Sequence, residues 1–350
     1  MGPIWFHAAS AGDVRAVAPL VDALTTARPD ASGYLTTWTA TGRAMARRVL
    51  PRIPIGRPPL DIPPIPGRAL QRVRPRVLVL EYLELWPAWT RACERRNIPI
   101  IVVDGSVSHR SLRIRALLRR AAGRISCFCA QTQRDADNAR QLGVPTARIQ
   151  VHGNGKYDGL IGRPPPLTDV LRQSVGAVDI VVGSLHPDEE RGALEALAKT
   201  PHRVLLAPRY PARAGPLIRR ARALGIDVGR RTLGAEGRQW VVLDSMGELA
   251  SAYALGRVAI VGGTFGRRGG QNLIEPAAHG LPVIFGPRHG RISLEAGALR
   301  DRGGWPASDW GHAVSLAGER LQRPGPDPRG ALGALKGATD RNLDVILAHL

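Results

Sequence analysis

Apolar residues follow two periods along this chain. Short runs of consecutive apolar residues alternate with longer segments in which they return at every third or fourth position. Such runs are typical of buried parallel strands, and such segments of the amphipathic helices that connect them, so the pattern predicts an α/β fold. In the first half the predicted strands are Pro3–Ala8, Gly33–Thr37, Val77–Leu80, Ile98–Val103, Ile125–Ala130 and Ile149–His152. In the second half they are Asp179–Gly183, Arg203–Ala207, Gln239–Leu243, Val258–Val261 and Leu281–Phe285.

Proline divides this pattern in the middle of the chain. Three consecutive prolines within Leu160–Leu167 remove backbone donors and fix φ, so neither a helix nor a central strand can continue there. The chain of 350 residues also exceeds what one core usually organises. We therefore predict Rossmann-like domains over residues 1–160 and 176–325, with a linker over 161–175. A last helix, Leu332–His349 within residues 326–350, is expected to cross back to the first domain.

The charge balance is strongly basic. Lys and Arg total 49 against 29 Asp and Glu, which gives a net charge of +20. A polyanionic partner explains this excess, and an arginine-favouring base composition of the gene explains it equally well. Only 5% of residues are aromatic, and the basic residues form no nucleic-acid recognition pattern, so no nucleic-acid partner is predicted. An anionic lipid surface would also attract such a protein.

The three cysteines, Cys93, Cys127 and Cys129, lack the paired spacing of a metal site. They are interpreted as buried thiols in a reducing compartment. No stretch is apolar for long enough to cross a bilayer, so the chain is expected to be soluble or peripheral.

The first segment with candidate chemistry is His7–Asp13, where a predicted strand ends and a helix begins. In one interpretation Asp13 stabilises the first turn of that helix, an effect of roughly 0.5–2 kcal/mol. In the other, its carboxylate is a general base that removes a proton from an attacking hydroxyl. The sequence leaves both roles open.

Similar strand ends follow in the second half. Gly183–Glu190 leads into an acidic helix start whose backbone N–H groups favour phosphate, and Arg209 stands between two prolines as a candidate phosphate clamp. The glycine-rich stretch Val261–Ala277 is the most specific. It places Asn272 and Glu275 on the first turn of a helix, where a carboxylate can hold ribose hydroxyls. Because the glycine spacing differs from the dinucleotide fingerprint, a sugar nucleotide is preferred to NAD.

Taken in order, these segments resemble the bacterial transferases of 3-deoxy-D-manno-octulosonic acid (Kdo). The resemblance covers nearly the whole chain. It rests on the motifs His7–Asp13, Glu84–Pro87, Ser108–Ser111, Gly153–Asp158, Gly183–His186, Pro208–Arg209, Met246–Leu249 and Gly269–Ala277.

The resemblance implies a GT-B fold, two Rossmann-like domains facing across a cleft, with a CMP-Kdo donor and a lipid A precursor as acceptor. Asp13 would be the base, and inversion would follow. Donor-binding candidates are Gly183, Ser184, His186, Arg209, Met246, Gly247, Glu248, Gly263, Asn272 and Glu275. Acceptor-side candidates are Ser10, Gly12, Glu84 and Lys156. No metal or cofactor is expected, because Arg209 and helix N-termini can take up the charge of the leaving phosphate.

The family also implies work at the cytoplasmic face of the inner membrane, with this chain as a peripheral protein. Arginines after Ser108 are candidates for contact with lipid phosphates, and a solvated helix face explains them equally well. These are Arg110, Arg113, Arg115, Arg119 and Arg120.

The chain departs from the family pattern at several positions. Asp13 stands where the family has Glu, Gln271 where it has His, and Tyr82 where it has Glu, although Glu81 is adjacent. Asp104 and Ser106 replace Asn and Arg. Two alternatives follow: a GT-B transferase that uses another nucleotide sugar, or a non-catalytic protein that binds sugar nucleotides.

Overall fold

The computed structural model describes residues 2–162 and 164–350, which divide into two compact units. Unit 1 comprises Met1–Gly159 together with Lys336–Leu350, and unit 2 comprises Leu160–Leu335. Each unit contains a seven-stranded sheet in which all paired strands are parallel. The predicted α/β class is therefore confirmed.

The sheet of unit 1 has the order β3-β2-β1-β4-β5-β6-β7. Its strands are β1 Ile4–His7, β2 Gly33–Thr36, β3 Ile55–Gly56, β4 Val77–Glu81, β5 Ile100–Gly105, β6 Cys127–Ala130 and β7 Ile149–Val151. Its helices are α1 Ala11–Ala27, α2 Ala40–Val49, α3 Ile65–Val73, α4 Pro87–Glu94, α5 His109–Arg113, α6 Arg115–Ala122, α7 Gln133–Leu142 and α8 Lys156–Gly162, the last of which continues into unit 2.

Side-chain alternation along the strands builds one core on each face of this sheet. On one face Phe6 and Val79 pack with Val17 and Val21 of α1. On the other face Trp5 belongs to the cluster that also contains residues of α3, α4 and β5. Burial on both faces explains why these strands are continuous apolar runs in the sequence.

Unit 2 repeats the arrangement with the order β10-β11-β9-β8-β12-β13-β14. Its strands are β8 Ile180–Leu185, β9 Val204–Pro208, β10 Val228–Arg230, β11 Trp240–Val242, β12 Val258–Val261, β13 Val283–Phe285 and β14 Gly304–Pro306. Its helices are α9 Asp169–Val175, α10 Glu190–Leu197, α11 Ala214–Ala223, α12 Leu249–Ala252, α13 Ile274–Ala278, α14 Ser293–Leu299, α15 Trp310–Gln322 and α16 Pro328–Leu332.

Two predicted segments differ from the structure. Residues 169–175, assigned to the linker, form α9, whose Leu171 and Val175 are buried in a core cluster of unit 2. The predicted helix Leu332–His349 is interrupted: α16 belongs to unit 2, and α17 (Ala338–Leu347) belongs to unit 1. Gly337, with φ of 86°, precedes α17 in a left-handed conformation that glycine adopts without strain.

Helix α17 is tied to unit 1 by buried polar contacts. Asn342 donates to Asp104 Oδ1 at 3.0 Å, and its own Oδ1 lies 2.8 Å from His152 Nδ1. Asp158 accepts from the backbone N–H groups of Gly337 and Thr339, both at 2.7 Å. These bonds fix the end of the chain on unit 1.

No helix in residues 2–162 or 164–350 combines the length and apolar character needed to cross a bilayer.

Candidate functional site

The carboxyl ends of β11, β9, β8 and β12 are neighbours in the sheet of unit 2, and the predicted donor-binding residues follow these strands. Ser184, at the end of β8, has φ of 54°, and the pairing of β8 with β9 shifts between Val182 and Leu185. Such a conformation costs of order 1–3 kcal/mol for a residue other than glycine and persists only where the surroundings fix it. A Cβ on the adjacent Gly183 would lie 1.9 Å from the Tyr253 hydroxyl, so this position requires glycine.

Glu189 organises the turns at this edge. Its buried carboxylate accepts from the N–H groups of His186 (3.1 Å) and Gly263 (2.7 Å). It also accepts from Phe265 and Gly266, both at 2.8 Å. Four charge-assisted bonds join the loop after β8 to the glycine-rich loop after β12. In the sequence this helix start is recognisable only as acidic, because nothing there distinguishes a loop-binding carboxylate from a solvated one.

The adjacent Glu190 fixes the segment that follows Arg209. Its buried carboxylate binds Arg213 through two bonds of 2.9 and 2.7 Å and Arg220 through one of 2.7 Å. Arg209 itself is anchored at its backbone, which donates to Leu185 O at 2.8 Å, and its guanidinium lies 5.8 Å from the centre of the Tyr210 ring. The Arg209 side chain is therefore exposed and held beside the end of β8.

His186 lies between these loops. Burial lowers its pKa, so the ring is neutral near pH 7. The Gln271 side-chain amide lies 3.2 Å from Nε2, and as the donor in that bond it leaves the proton on Nδ1. Within the described part of the chain Nδ1 has no hydrogen-bond partner. A buried N–H without an acceptor is costly unless a ligand supplies one, and a phosphate oxygen would do so.

Asn272 and Glu275 meet at the start of α13, although Asn272 lies two residues before the helix and not on its first turn, where the sequence pattern predicted it. Asn272 Oδ1 accepts from the N–H of Ile274 at 2.9 Å, while Nδ2 donates to Glu275 Oε1 at 3.1 Å. Because the amide orients the carboxylate, Glu275 is held at the helix N-terminus, where it can accept from vicinal hydroxyl groups.

The segment Met246–Glu248 precedes α12. Met246 is exposed, and Gly247 has φ of 82°. The Glu248 carboxylate binds the Arg231 guanidinium and the Ser245 hydroxyl, which leaves Met246 at the tip of a fixed turn. This geometry suits Met246 for apolar contact with a ligand, and Glu248 for holding the turn.

In unit 1, Ser10 and Asp13 form a reciprocal cap at the start of α1. Asp13 Oδ2 accepts from Ser10 N at 2.8 Å, and Ser10 Oγ accepts from Asp13 N at 3.4 Å. The half-buried Asp13 thus satisfies backbone donors. Its Oδ1 has no hydrogen-bond partner among the residues that the structure describes, so the cap and a role in proton transfer are compatible. Gly12 lies exposed between the two residues.

His7, at the end of β1, lies beside Glu84. His7 Nδ1 donates to Thr36 O at 3.1 Å, and burial lowers the pKa of His7 to about 4, so the ring is neutral. Its Nε2 is 3.9 Å from Glu84 Oε2, which also accepts from the Trp86 indole at 3.0 Å. Burial raises the pKa of Glu84, the hydrogen bond from Trp86 lowers it, and the negative charge of Asp13 raises it.

A second carboxyl pair lies deeper at the same edge. Burial, followed by the charge of Asp104, raises the pKa of Glu81 well above its usual range. Asp104 accepts from Gly155 N at 2.9 Å and from Asn342, while burial raises its pKa to about 6. Neither Glu81 oxygen has a donor among the described residues, so a proton on Glu81 satisfies the pair by donation to Asp104.

Lys156 follows Gly155 and so lies next to this pair along the chain, with Nζ 4.7 Å from the centre of the Tyr157 ring. Unit 1 therefore brings Ser10, Asp13 and Glu84 together with His7, Glu81 and Asp104, which the sequence analysis did not select as site residues. Strand alternation could have indicated that Glu81 points inward, since it extends the apolar run of β4 by one residue.

No group of three His, Cys, Asp or Glu side chains within residues 2–162 and 164–350 is arranged to hold a metal ion.

Comparison with known proteins gives concordant matches in sequence. Residues 2–159 match the family described as 3-Deoxy-D-manno-octulosonic-acid transferase (kdotransferase). The chain is 35% identical to a 3-deoxy-D-manno-octulosonic acid transferase of Bordetella pertussis, over 98% of this chain and 86% of that protein. It is 32% identical to the protein of the same name from Haemophilus influenzae, over 81% and 70%.

Solved structures resemble the whole chain in fold. The UDP-GlcNAc 2-epimerase of Neisseria meningitidis, bound to UDP-GlcNAc, aligns with a TM-score of 0.67 at 12% identity, over 99% of this chain and 100% of that chain. A glycosyltransferase from Rickettsia africae aligns with a TM-score of 0.66 at 12% identity, over 99% and 98%. The GT-B type of fold is thereby confirmed.

Proposed function

The chain belongs to the 3-deoxy-D-manno-octulosonic-acid transferase family and is a glycosyltransferase, and from that premise we propose that it transfers Kdo from CMP-Kdo to a lipid A precursor. The observation that carries the proposal is the set of loops after β8, β9 and β12. These loops direct an exposed arginine, an unpaired histidine N–H and an oriented carboxylate to one edge of the sheet of unit 2.

Each group has a counterpart on a cytidine monophosphate sugar. Arg209 and His186 Nδ1 supply a cation and a donor for the phosphate. Glu275, oriented by Asn272, accepts from the ribose hydroxyls. Gly183 and Gly263 keep the two turns of the site in place, because a Cβ would lie 1.9 Å from the Tyr253 hydroxyl at the first position and 2.7 Å from Gln271 Cγ at the second. Ser184, Met246, Gly247 and Glu248 shape the remaining turns of the donor site.

We assign proton removal to Asp13. A sugar hydroxyl of the acceptor attacks the anomeric carbon of Kdo, the new C–O bond forms as the bond to the CMP phosphate breaks, and the hydroxyl proton passes to Asp13 Oδ1. CMP leaves with the bonding electron pair, and Arg209 compensates the charge that develops on its phosphate. Such a displacement inverts the anomeric centre and needs no metal ion.

The acceptor side is assigned to the edge of unit 1, with Ser10, Gly12, Glu84 and Lys156 near the base. Neutral His7 and the carboxyl group of Glu84 can exchange hydrogen bonds with sugar hydroxyl groups. Because a lipid A precursor is a membrane lipid, we place the protein at the cytoplasmic face of the inner membrane, as a peripheral protein on an anionic surface.

A donor comparison tests this function. The protein is incubated with a tetra-acylated lipid A precursor and one donor at a time: CMP-Kdo generated in situ, a UDP-sugar or a GDP-sugar. The masses of the lipid products are measured by mass spectrometry. We expect a mass increase of one or more Kdo residues with CMP-Kdo alone. Transfer from a UDP- or GDP-sugar would assign a different donor, and CMP-Kdo binding without any product would indicate a non-catalytic protein.

A further inference from the structure

Helices α3 and α4 of unit 1 enclose a groove of about 460 Å³ that belongs to neither substrate site described above. Arg68 of α3 lines one side. Arg91 of α4, with Arg95 and Arg96 directly after it, lines the other side, and all four side chains are exposed.

These arginines lack counter-ions within the part of the chain that the structure describes. Among the described residues no carboxylate forms an ion pair with any of the four, and Glu94, the acidic residue of α4, is paired with Arg124 at 2.7 Å. The Arg96 guanidinium donates to the backbone oxygen of Ala92, at 3.4 Å. Four like charges around one groove repel each other, and an oxyanion bound between them would relieve that repulsion.

The loop before α3, together with Ile65 at the start of that helix, adds an apolar rim to this groove. Leu60, Ile62 and Ile65 are exposed by 55%, 59% and 36%, and the prolines between and beside them line the groove itself. Exposed aliphatic side chains in one short segment are unusual for a surface that faces only water.

The loop is held in place, so these side chains are presented in a fixed position. Asp61 accepts from Trp89 N at 2.8 Å and from Ala88 N at 3.2 Å, which binds the loop to the first turn of α4. That turn follows Trp86, whose indole donates to the acceptor-side residue Glu84. The segment Trp86–Ala88 thus connects the apolar rim, held at Ala88 N, to Glu84 at the edge that carries Asp13.

We infer that the α3–α4 groove and the Leu60–Ile65 loop form the surface by which this protein docks on a bilayer rich in anionic phospholipid. Guanidinium groups bind lipid phosphates at the headgroup level, and aliphatic side chains insert beside them. The inference rests on the proposed function, which requires access to a membrane lipid. It places docking on this groove and not on the arginines of α5 and α6.

Vesicle binding compares the two surfaces at equal charge. The first variant is Arg68→Gln/Arg91→Gln/Arg95→Gln/Arg96→Gln, and its control is Arg113→Gln/Arg115→Gln/Arg119→Gln/Arg120→Gln. Partitioning to phosphatidylglycerol vesicles is measured by co-sedimentation, with phosphatidylcholine vesicles as the neutral reference. Each arginine that lies at the anionic surface raises the partition coefficient about five-fold. We therefore expect the partition coefficient of the groove variant to fall at least ~100-fold and that of the control less than ~10-fold.

A fluorescent label tests insertion of the apolar rim. The native cysteines are buried, so a cysteine introduced by Ile62→Cys or Leu117→Cys takes an environment-sensitive dye selectively. Leu117 is the matched control, because it is exposed by 75% on α6. We expect a blue shift with anionic vesicles for Ile62→Cys and none for Leu117→Cys.

Equal losses in the two arginine variants, or a blue shift at position 117 alone, would overturn the inference. So would displacement from the vesicles by millimolar inorganic phosphate, but not by sodium chloride of equal ionic strength, since that result indicates a site for a soluble phosphate.

The assays require no catalysis. A protein that binds vesicles through the groove but transfers no Kdo therefore contradicts only the proposed function, and one that transfers Kdo but docks elsewhere contradicts only this inference.

Discussion

The carboxyl edges of the two sheets hold buried carboxyl groups in opposite surroundings. In unit 2, Glu189 accepts four backbone N–H bonds and Glu190 binds two arginines. In unit 1, Glu81 has no donor among the described residues and lies beside Asp104. A carboxylate surrounded by donors holds loops in place, whereas a carboxyl group beside another carboxyl group holds a proton. The same fold thus provides one edge suited to phosphate and one suited to proton exchange with hydroxyl groups.

The largest effect is expected at Asp13. Asp13→Ala and Asp13→Asn should each lower the rate of Kdo transfer by roughly 10²–10⁴, because neither side chain can accept the hydroxyl proton. The amide in Asp13→Asn still presents an oxygen to Ser10 N–H. This variant therefore removes the proton acceptor while keeping the helix cap.

Ser10→Ala is the matched control for the cap at α1. It removes the hydroxyl that accepts from Asp13 N and should cost about 1 kcal/mol of stability, with transfer reduced less than about ten-fold. Comparable losses in Ser10→Ala and Asp13→Asn would instead assign Asp13 to helix capping alone.

Arg209 is expected to have the next largest effect. Arg209→Ala should reduce kcat for transfer by roughly 10²-fold and weaken CMP binding, because the phosphate loses a cation during bond cleavage. Arg219→Ala, on the solvent side of α11, gives the matched loss of charge and should leave both quantities unchanged. Equal effects of the two substitutions would mean that Arg209 contributes only to the general positive potential.

Glu189 should affect stability and CMP affinity together. In Glu189→Gln the carboxamide keeps the size, but its NH₂ group cannot accept from the N–H groups that the carboxylate now satisfies, so about 2–3 kcal/mol of the free energy of unfolding should be lost. Thermal unfolding would measure the loss of stability, and calorimetric titration with CMP would measure the accompanying loss of affinity. An unfolding free energy equal to that of the wild type would contradict the assignment of Glu189 to loop positioning.

The smallest effect concerns the dependence of stability on pH. The folded-state pKa of Asp104 is raised to about 6 and that of Glu81 is raised well above its usual range. The stability that the two groups contribute is therefore fully present below about pH 4, and the part that Asp104 contributes is lost as the pH rises through about 6. Glu81→Gln should flatten that part of the curve of unfolding free energy against pH. Asp135→Asn is the comparison, at a carboxylate in the first turn of α7 that accepts from Val107 N and from the Thr132 hydroxyl. A wild-type slope retained in Glu81→Gln would show that the pair does not share a proton.

The pattern of apolar runs predicted most of the strands, because strands buried on both faces are continuous apolar runs in the sequence. It missed three short strands and one helix: β3 has two residues, β10 and β14 have three each, and α3 follows a proline-rich loop. The glycine-rich stretch predicted that Asn272 and Glu275 lie at a helix start, but not that the Asn272 amide binds the Glu275 carboxylate. Long-range contacts such as Asn342 with Asp104 leave no local pattern, nor does the positive φ of Ser184.

The division of roles between the two edges is tested most directly by the CMP affinity of Asp13→Asn, measured by calorimetry beside the wild type. If the edge of unit 2 binds the donor and Asp13 serves only as the proton acceptor, CMP should bind the inactive variant with a Kd within about two-fold of the wild-type value. A Kd that weakens in proportion to the loss of transfer would contradict this division and place Asp13 in donor binding.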